Sequence, residues 1–485
     1  MSNESPNIVY ILADDMGYGD VSCLNPESRI RTEHLDRLAA EGMRFEDAHA
    51  SSAVCTPSRY SILTGRYNWR SRQKRGVLGG YSEPLIEAGR MTVASYLKSK
   101  GYRTGCFGKW HLGWSWAKKS DDAKDVDFTR PITGGPTDAG FDEFFGIAAS
   151  LDMAPYVYVD GEMPTAVPDR VTSNTGKAFW REGPTAPDFR HDEVLEKLTD
   201  RCCSFIRDNA GAQPLFVYFP LPAPHTPILP TDRFLGTSGT NEYGDFCLLT
   251  DWCIGEVMRA VEDAGIAEDT LFIFAADNGC SPEANFDELA KVGHHPSYHF
   301  RGYKADIYEG GHRIPLIVRW PRRIGAGRRC AQTVCLSDLL ATAADIHGDA
   351  LPDDAGEDSV SNLPLYSDAP PTEPIRQATV HHSIQGMLSI RQGRWKLEMC
   401  PGSGGWSPPR PGDEPPDAAS IQLYDLEADI GERRNVVAEH PDVVDRLTAL
   451  LTRYVRDGRS TPGAPQPNTG PRYWPQLNWL SENEM

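Results

Sequence analysis

The stretch SSAVCTPSRYSILTGRY, residues 51–67, sets a cysteine just ahead of Pro57, which suits the first turn of a helix, and an arginine four positions on. A negative charge at Cys55 would meet the positive end of the helix dipole and, one turn along the same face, the Arg59 guanidinium. Position 55 is thereby expected to favour an anion. Elsewhere, Asp14-Asp15 and Asp277-Asn278 each close an apolar run. Together they offer hard oxygen donors of the kind that hold Ca²⁺ or Mg²⁺ at roughly 2.0–2.6 Å. Either pair alone reads equally well as a strand-end turn or a helix cap; two pairs at equivalent places favour a metal. Lys109 and His111, two apart on an extended segment, share a face, and His225 lies in PAPHTP. A lone lysine or histidine is more often a surface or packing residue, so these matter only if the fold brings them to the acids.

That requirement falls on the elements between them. Strand-like apolar runs are NIVYILADD (7–15), YRTGCFGKW (102–110), PLFVYFPL (214–221), TLFIFAADNG (270–279) and IPLIVRWP (314–321). Helical patterns fall near 33–42, 57–66, 91–100, 192–209, 243–264 and 336–347, with Ser337 as a cap and Gly101, Gly265 and Gly348 as following glycines. This alternation predicts an α/β fold, a large and mostly parallel sheet sandwiched by helices. In such sheets ligands collect at the carboxyl ends of strands, where Asp14-Asp15, Lys109-Trp110-His111, His225 and Asp277-Asn278 all stand. After the Pro-rich SDAPPTEP, the runs ATVHHS, LSIRQGRWKLEMC and QLYDL and a helix near 441–457 predict a smaller C-terminal antiparallel sheet carrying a helix. The expected division is a catalytic α/β domain over 1–365, an α+β subdomain over 366–458 and an extended arm over 459–485. Tyr473, Trp474 and Trp479 suggest that the arm packs along the surface.

Composition narrows the class. With 485 residues, 40% hydrophobic and 24% charged, the chain fits a globular protein with more than one core. A net charge of −19 argues against a nucleic-acid partner and requires a local positive pocket for any anionic substrate. The eleven cysteines are odd in number and form no C-x-x-C, which argues against a disulfide framework and a zinc site. The start, MSNESPNIVYILADD, has no basic leader-like region, and no apolar stretch is long enough to span a bilayer. No membrane partner is expected, and the expected compartment is the cytoplasm, or the periplasm or exterior if a leader has been removed.

CTPSRYSILTGR resembles the signature of the type I sulfatases of the alkaline phosphatase superfamily, C-x-P-S-R-x-x-x-L-T-G-R, at every fixed position from Cys55 to Arg66. NIVYILADDMGYGD, GYRTGCFGKWHLG, PAPHTP, FAADNG and GYKADIYEGGHRIPLIVRWP resemble that family's other motifs in the same order, so the likeness runs from about residue 7 to 455. The resemblance implies that Cys55 is converted by a formylglycine-generating enzyme or an anaerobic maturase into formylglycine, whose hydrate is the nucleophile. It further implies that Asp14, Asp15, Asp277, Asn278 and the modified Cys55 bind one divalent ion, Ca²⁺ or alternatively Mg²⁺. Arg59 would help to stabilise the alkoxide. Lys109, Lys304 and His225 would hold the sulfate or the leaving oxygen, and His111 would act on the second hydroxyl of the hydrate.

Two alternatives compete with a sulfatase. A phosphate or phosphonate ester hydrolase of the same superfamily, in its two-metal form, should carry a histidine beside the fourth-strand aspartate, where this chain has Asn278. A non-catalytic glycan-binding relative should have lost the cysteine, Arg59 or the lysines, and all are present. For the substrate, GHHPSYHFRGYK supplies His294, His295, His299 and Arg301, and VHHS supplies His381 and His382. With WRSRQKR (69–75) and SLDMAPYVY (150–158), these are expected to line a polar pocket for a sulfated sugar or glycan end.

Overall fold

The computed structural model describes residues 5–367 and 369–481. Strands β1 (Asn7–Ala13), β2 (Met43–Phe45), β3 (Arg103–Lys109), β4 (Glu143–Ile147), β5 (Val159–Asp160), β6 (Met163–Pro164), β7 (Leu215–Pro220), β8 (Thr270–Ala276), β9 (Leu316–Arg319) and β10 (Arg328–Cys330) build one 10-stranded sheet. Their order is β10-β2-β9-β8-β1-β7-β3-β4-β5-β6. The central five, β8, β1, β7, β3 and β4, run parallel. The run expected over 314–321 becomes β9, which lies antiparallel to both β8 and β2. Every residue of β1, β7 and β8 is buried, which is why these strands read as unbroken apolar runs rather than alternating ones.

Helices α1 (Glu33–Glu41), α4 (Val194–Asn209) and α5 (Glu242–Asp263) pack as one group, and α2 (Cys55–Thr64), α3 (Val93–Ser99) and α6 (Leu339–Ile346) as another. Helix α2 is buried along its whole length despite its polar sequence. Its hydroxyls turn back on the helix: Ser58 donates to Val54 O, Ser61 to Pro57 O and Thr64 to Tyr60 O, so no side-chain donor among them is left bare. It stops at Gly65, at φ 63°, where an added Cβ would come within 2.9 Å of Gly356 Cα. Ser337 does not cap α6; its hydroxyl donates to Asp358 O, and Asp338 occupies the cap position.

A separate 4-stranded antiparallel sheet joins β11 (Thr379–His382), β12 (Leu388–Gln392), β13 (Trp395–Glu398) and β14 (Gln422–Asp425) in sequence order. Helix α7 (Pro441–Asp457) lays Leu447, Leu451 and Val455 against Val380, Ile390 and Leu397 of this sheet. The terminal segment adds Trp474 and Leu477 to the same cluster, with Lys74 Nζ 4.2 Å from the Trp474 ring centre. Among the described residues no helix is long and apolar enough to cross a membrane.

Candidate active site

Strands β1 and β8 run side by side with Ala13 opposite Ala276, so Asp14 and Asp277 leave the sheet together. Asp15 takes a left-handed backbone, φ 66°, and its N–H donates to Asp277 Oδ1 at 3.3 Å. His111, just beyond β3, is likewise left-handed at φ 57°. Two strained non-glycine residues at strand ends on one rim of the sheet are the pattern expected where function rather than stability sets the backbone. Helix α2 begins with Cys55, so the thiol stands at a helix N-terminus as the sequence requires.

Lys109 Nζ contacts Asp14 Oδ2, and Lys304 Nζ donates to Asp15 Oδ2 at 2.6 Å. His225 Nε2 lies 3.6 Å from the same Asp15 oxygen, and Asn278 Nδ2 donates to Asp15 Oδ1 at 2.7 Å. Arg59 interacts electrostatically with Cys55, and its hydrogen bonds go to Asp277 and the strand end behind it. Its Nε and Nη2 both donate to Asp277 Oδ2, at 3.0 and 2.8 Å, and Nη1 donates to Lys109 O at 2.8 Å. Arg59 therefore anchors the carboxylate cluster from behind.

These charges set the protonation states. Burial alone would raise Asp14, but Lys109, His225, Arg59 and Lys304 outweigh it and hold the carboxyl well below its usual range. Asp277 is pushed upward by burial and by the neighbouring Asp14. Burial drives the Cys55 thiol up to about 11, even though Lys109 and Lys304 pull it down. The unmodified side chain is thus a thiol near neutral pH, not a thiolate nucleophile. Burial, then Lys109 and Arg59, hold His111 well below the ordinary imidazole range. Its Nε2 faces Leu78 O at 2.7 Å, which fixes the proton there and leaves Nδ1 as a free acceptor.

The donor set fits a hard divalent cation. Asp14 Oδ1 and Asn278 Oδ1 are buried without a hydrogen-bond partner, and Asp14, Asp15, Cys55 and His225 each offer an atom within 4.8 Å of the others. Two buried carboxylates that repel each other, with two uncommitted oxygens beside them, are relieved by an ion bound between them.

Cys55, Asp15, His225 and Lys304 open onto a cleft of about 920 Å³. Ser150, Asp152 and Met153 line it, as the SLDMAPYVY segment suggested. The WRSRQKR segment does not: Arg70 is buried on Asp358 at 2.8 Å and over the Trp69 ring. None of the six residues expected to touch sugar lines it either. His294 is buried between Asp20 Oδ1, 2.8 Å from Nε2, and the Arg29 N–H. His295 and His299 are exposed in a segment that folds over Gly19, and His299 packs on Tyr298 at 4.1 Å. Arg301 lies 3.8 Å over the Tyr308 ring and donates to Glu432 O. His381 stacks on His312 at 4.0 Å, and His382 is buried with Nδ1 3.0 Å from Ser383 O. The backbone of His382 pairs with the run into α2: its N–H donates to Ser51 O, and Ala53 N–H donates to its carbonyl. Residues missed from sequence include Lys177 and Arg181, from the hairpin over 170–185, and Trp406. Only Trp406 carried a local signal, a single indole within the Gly- and Pro-rich PGSGGWSPP.

The family model for sulfatases matches residues 6–348. An N-acetylgalactosamine-6-O-sulfatase of Bacteroides thetaiotaomicron is 33% identical over 491 residues, covering 93% of each chain. Human arylsulfatase A is 32% identical over 462 residues, covering 92% of this chain and 87% of its own. A solved Bacteroides thetaiotaomicron sulfatase, described with the metabolism of multiple glycosaminoglycans, superposes with a TM-score of 0.79 at 32% identity, over 92% of this chain and 98% of that one. A match across most of the α/β region, with relatives above 30% identity along nearly the whole length, establishes the assignment: the chain belongs to the sulfatase family and is a sulfuric ester hydrolase.

Proposed function

We propose that the protein hydrolyses a sulfate monoester on a sulfated sugar, using Cys55 converted to formylglycine and one Ca²⁺ or Mg²⁺ held by Asp14, Asp15, Asp277 and Asn278. The observation that carries this reading is the pair of buried, uncommitted oxygens on Asp14 and Asn278 beside a cysteine too weakly acidic to attack as a thiolate. The ion and a hydrated aldehyde at position 55 supply an oxygen nucleophile of lowered pKa. Lys304 and His225, on the cleft side of Asp15, are placed to bind sulfate oxygens and to give a proton to the departing sugar oxygen. Lys109 keeps Asp14 ionised, and Arg59 offsets part of the charge on Asp277. His111, joined to the residue after Cys55 by the Thr56 hydroxyl at 3.0 Å, takes a proton at Nδ1 as sulfate is released.

A sugar is favoured by the cleft wall. Ser150 Oγ, Asp152 Oδ1 and Thr226 Oγ1 are buried, unpaired and part of the lining, so they are ready to meet hydroxyl groups. The relative that acts on an N-acetylgalactosamine 6-sulfate makes that ester the first substrate to test. The decisive experiment combines hydrazide capture of an aldehyde in the peptide carrying residue 55, elemental analysis, and sulfate release from regiochemically defined sulfated sugars. An aldehyde, one calcium or magnesium ion and release from a sugar are the expected outcome. Two zinc ions per chain with faster phosphate or phosphonate ester cleavage would overturn it.

A further inference from the structure

A second cleft, of about 900 Å³, lies where β10, the β12–β13 turn and α7 approach one another, and it shares no lining residue with the first. Arg328, Arg329, Arg376, Arg391, Arg394 and Arg446 line it, and among the described lining residues the one acid is Glu427, 3.1 Å from Arg394, in a chain whose formal charge is −19. Several of these arginines have carboxylate partners: Glu46 with Arg329 at 2.8 Å, Asp338 with Arg376 at 2.6 Å, Asp47 with Arg391 at 2.5 Å and Asp425 with Arg394. None of those four acids lines the cleft. They cancel much of the long-range field while leaving guanidinium edges at the wall.

The wall also has N–H groups with nothing to donate to. Arg376 is only 8% exposed, yet its Nε and Nη1 lack a hydrogen-bond partner, as does Nη1 of Arg328. A buried guanidinium N–H without an acceptor is costly, and the fork geometry of arginine suits two oxygens of a sulfate or carboxylate. Trp395, half-buried on the same lining with the His440 ring at 4.7 Å and the Arg394 guanidinium at 5.6 Å, adds apolar surface to the wall.

We propose that this cleft is a second binding site for a sulfated or uronate-bearing polysaccharide, which holds a polymeric substrate at a point away from the sulfate being cleaved. The choice of a polysaccharide rests on the sugar-sulfatase reading above; the anion site itself does not. A chain held at a second site returns to the active cleft at a raised effective concentration.

The test uses the full chain with Cys55→Ala, which binds without turnover, titrated with a sulfated glycosaminoglycan hexasaccharide. Arg446→Glu, on the exposed face of α7, and Arg328→Gln are the cleft variants. Two sites per chain are expected, with the second weakened about tenfold or more by either variant. In otherwise unmodified enzyme the same variants should lower kcat/KM on the polymer several-fold and leave a sulfated monosaccharide unaffected. One site per chain, or unchanged affinity in both variants, would overturn the proposal, as would tighter binding of an oligonucleotide than of the hexasaccharide. An enzyme that released no sulfate from any sugar while still binding the hexasaccharide at the arginine cleft would sink the sugar-sulfatase reading and leave the anion site standing.

Discussion

Burial decides what Cys55 can do. A thiol pushed up to about 11 and 2% exposed is expected to resist iodoacetamide near neutral pH in folded, unconverted protein and to react once the chain is unfolded. Peptide mapping checks this, and rapid labelling of Cys55 in the native state would contradict it. Asp152 offers a second test at the same scale. Asp152→Ala removes from the cleft wall an uncommitted acceptor, Oδ1, and the Oδ2 partner of Arg181, but leaves Cys55 and its neighbours in place, so kcat/KM on a sulfated sugar should fall about 10- to 100-fold. A small aryl sulfate should be hydrolysed almost as before; equal losses on both would make the residue structural. The convergence of Asp14, Asp15, Lys109, Asp277 and Asn278 was legible because they sit at the ends of apolar runs, where strand termini place them whatever the loops do. His381 and His382 were not, because a histidine in a short strand gives no sign of which side is covered; here both rings are buried.

At the scale of elements, α2 carries the site, and its end is fixed by Gly65. Gly65→Ala must place a Cβ at φ 63° and 2.9 Å from Gly356 Cα, so a loss of about 1 kcal/mol or more is expected from the backbone alone. Chemical denaturation checks it; unchanged stability would mean that the Gly356 loop yields freely. The central strands could be read from their continuous hydrophobicity, which burial on both faces requires. Strand β4 could not, because Glu143–Ile147 is five residues with a glycine inside it and lies beside β3 only through long-range pairing.

For the molecule as a whole, acid sensitivity should come from the imidazoles between the two sheets. His49, His312 and His381 are fully buried, and burial lowers all three; it lowers His382 to about 4. A histidine whose folded pKa is depressed stabilises the fold above its unfolded pKa of about 6.5, and that stability drains away as pH falls through the folded value. For His382 alone the loss by pH 4 is about 3 kcal/mol. The melting temperature should therefore decline between pH 6.5 and 4, and His382→Gln should flatten the decline. A melting temperature that stays level over that range would contradict the assignment.

The pairing of His382 with Ser51 and Ala53 also sets an order of events in time. The run leading into Cys55 leaves the ribosome early, but its partner strand is made more than three hundred residues later, and once β11 docks, the backbone on the way into the signature is held by it. If residue 55 is rewritten as proposed, the growing chain offers a converting enzyme the whole segment, whereas a folded molecule offers it only a buried side chain at the floor of the cleft.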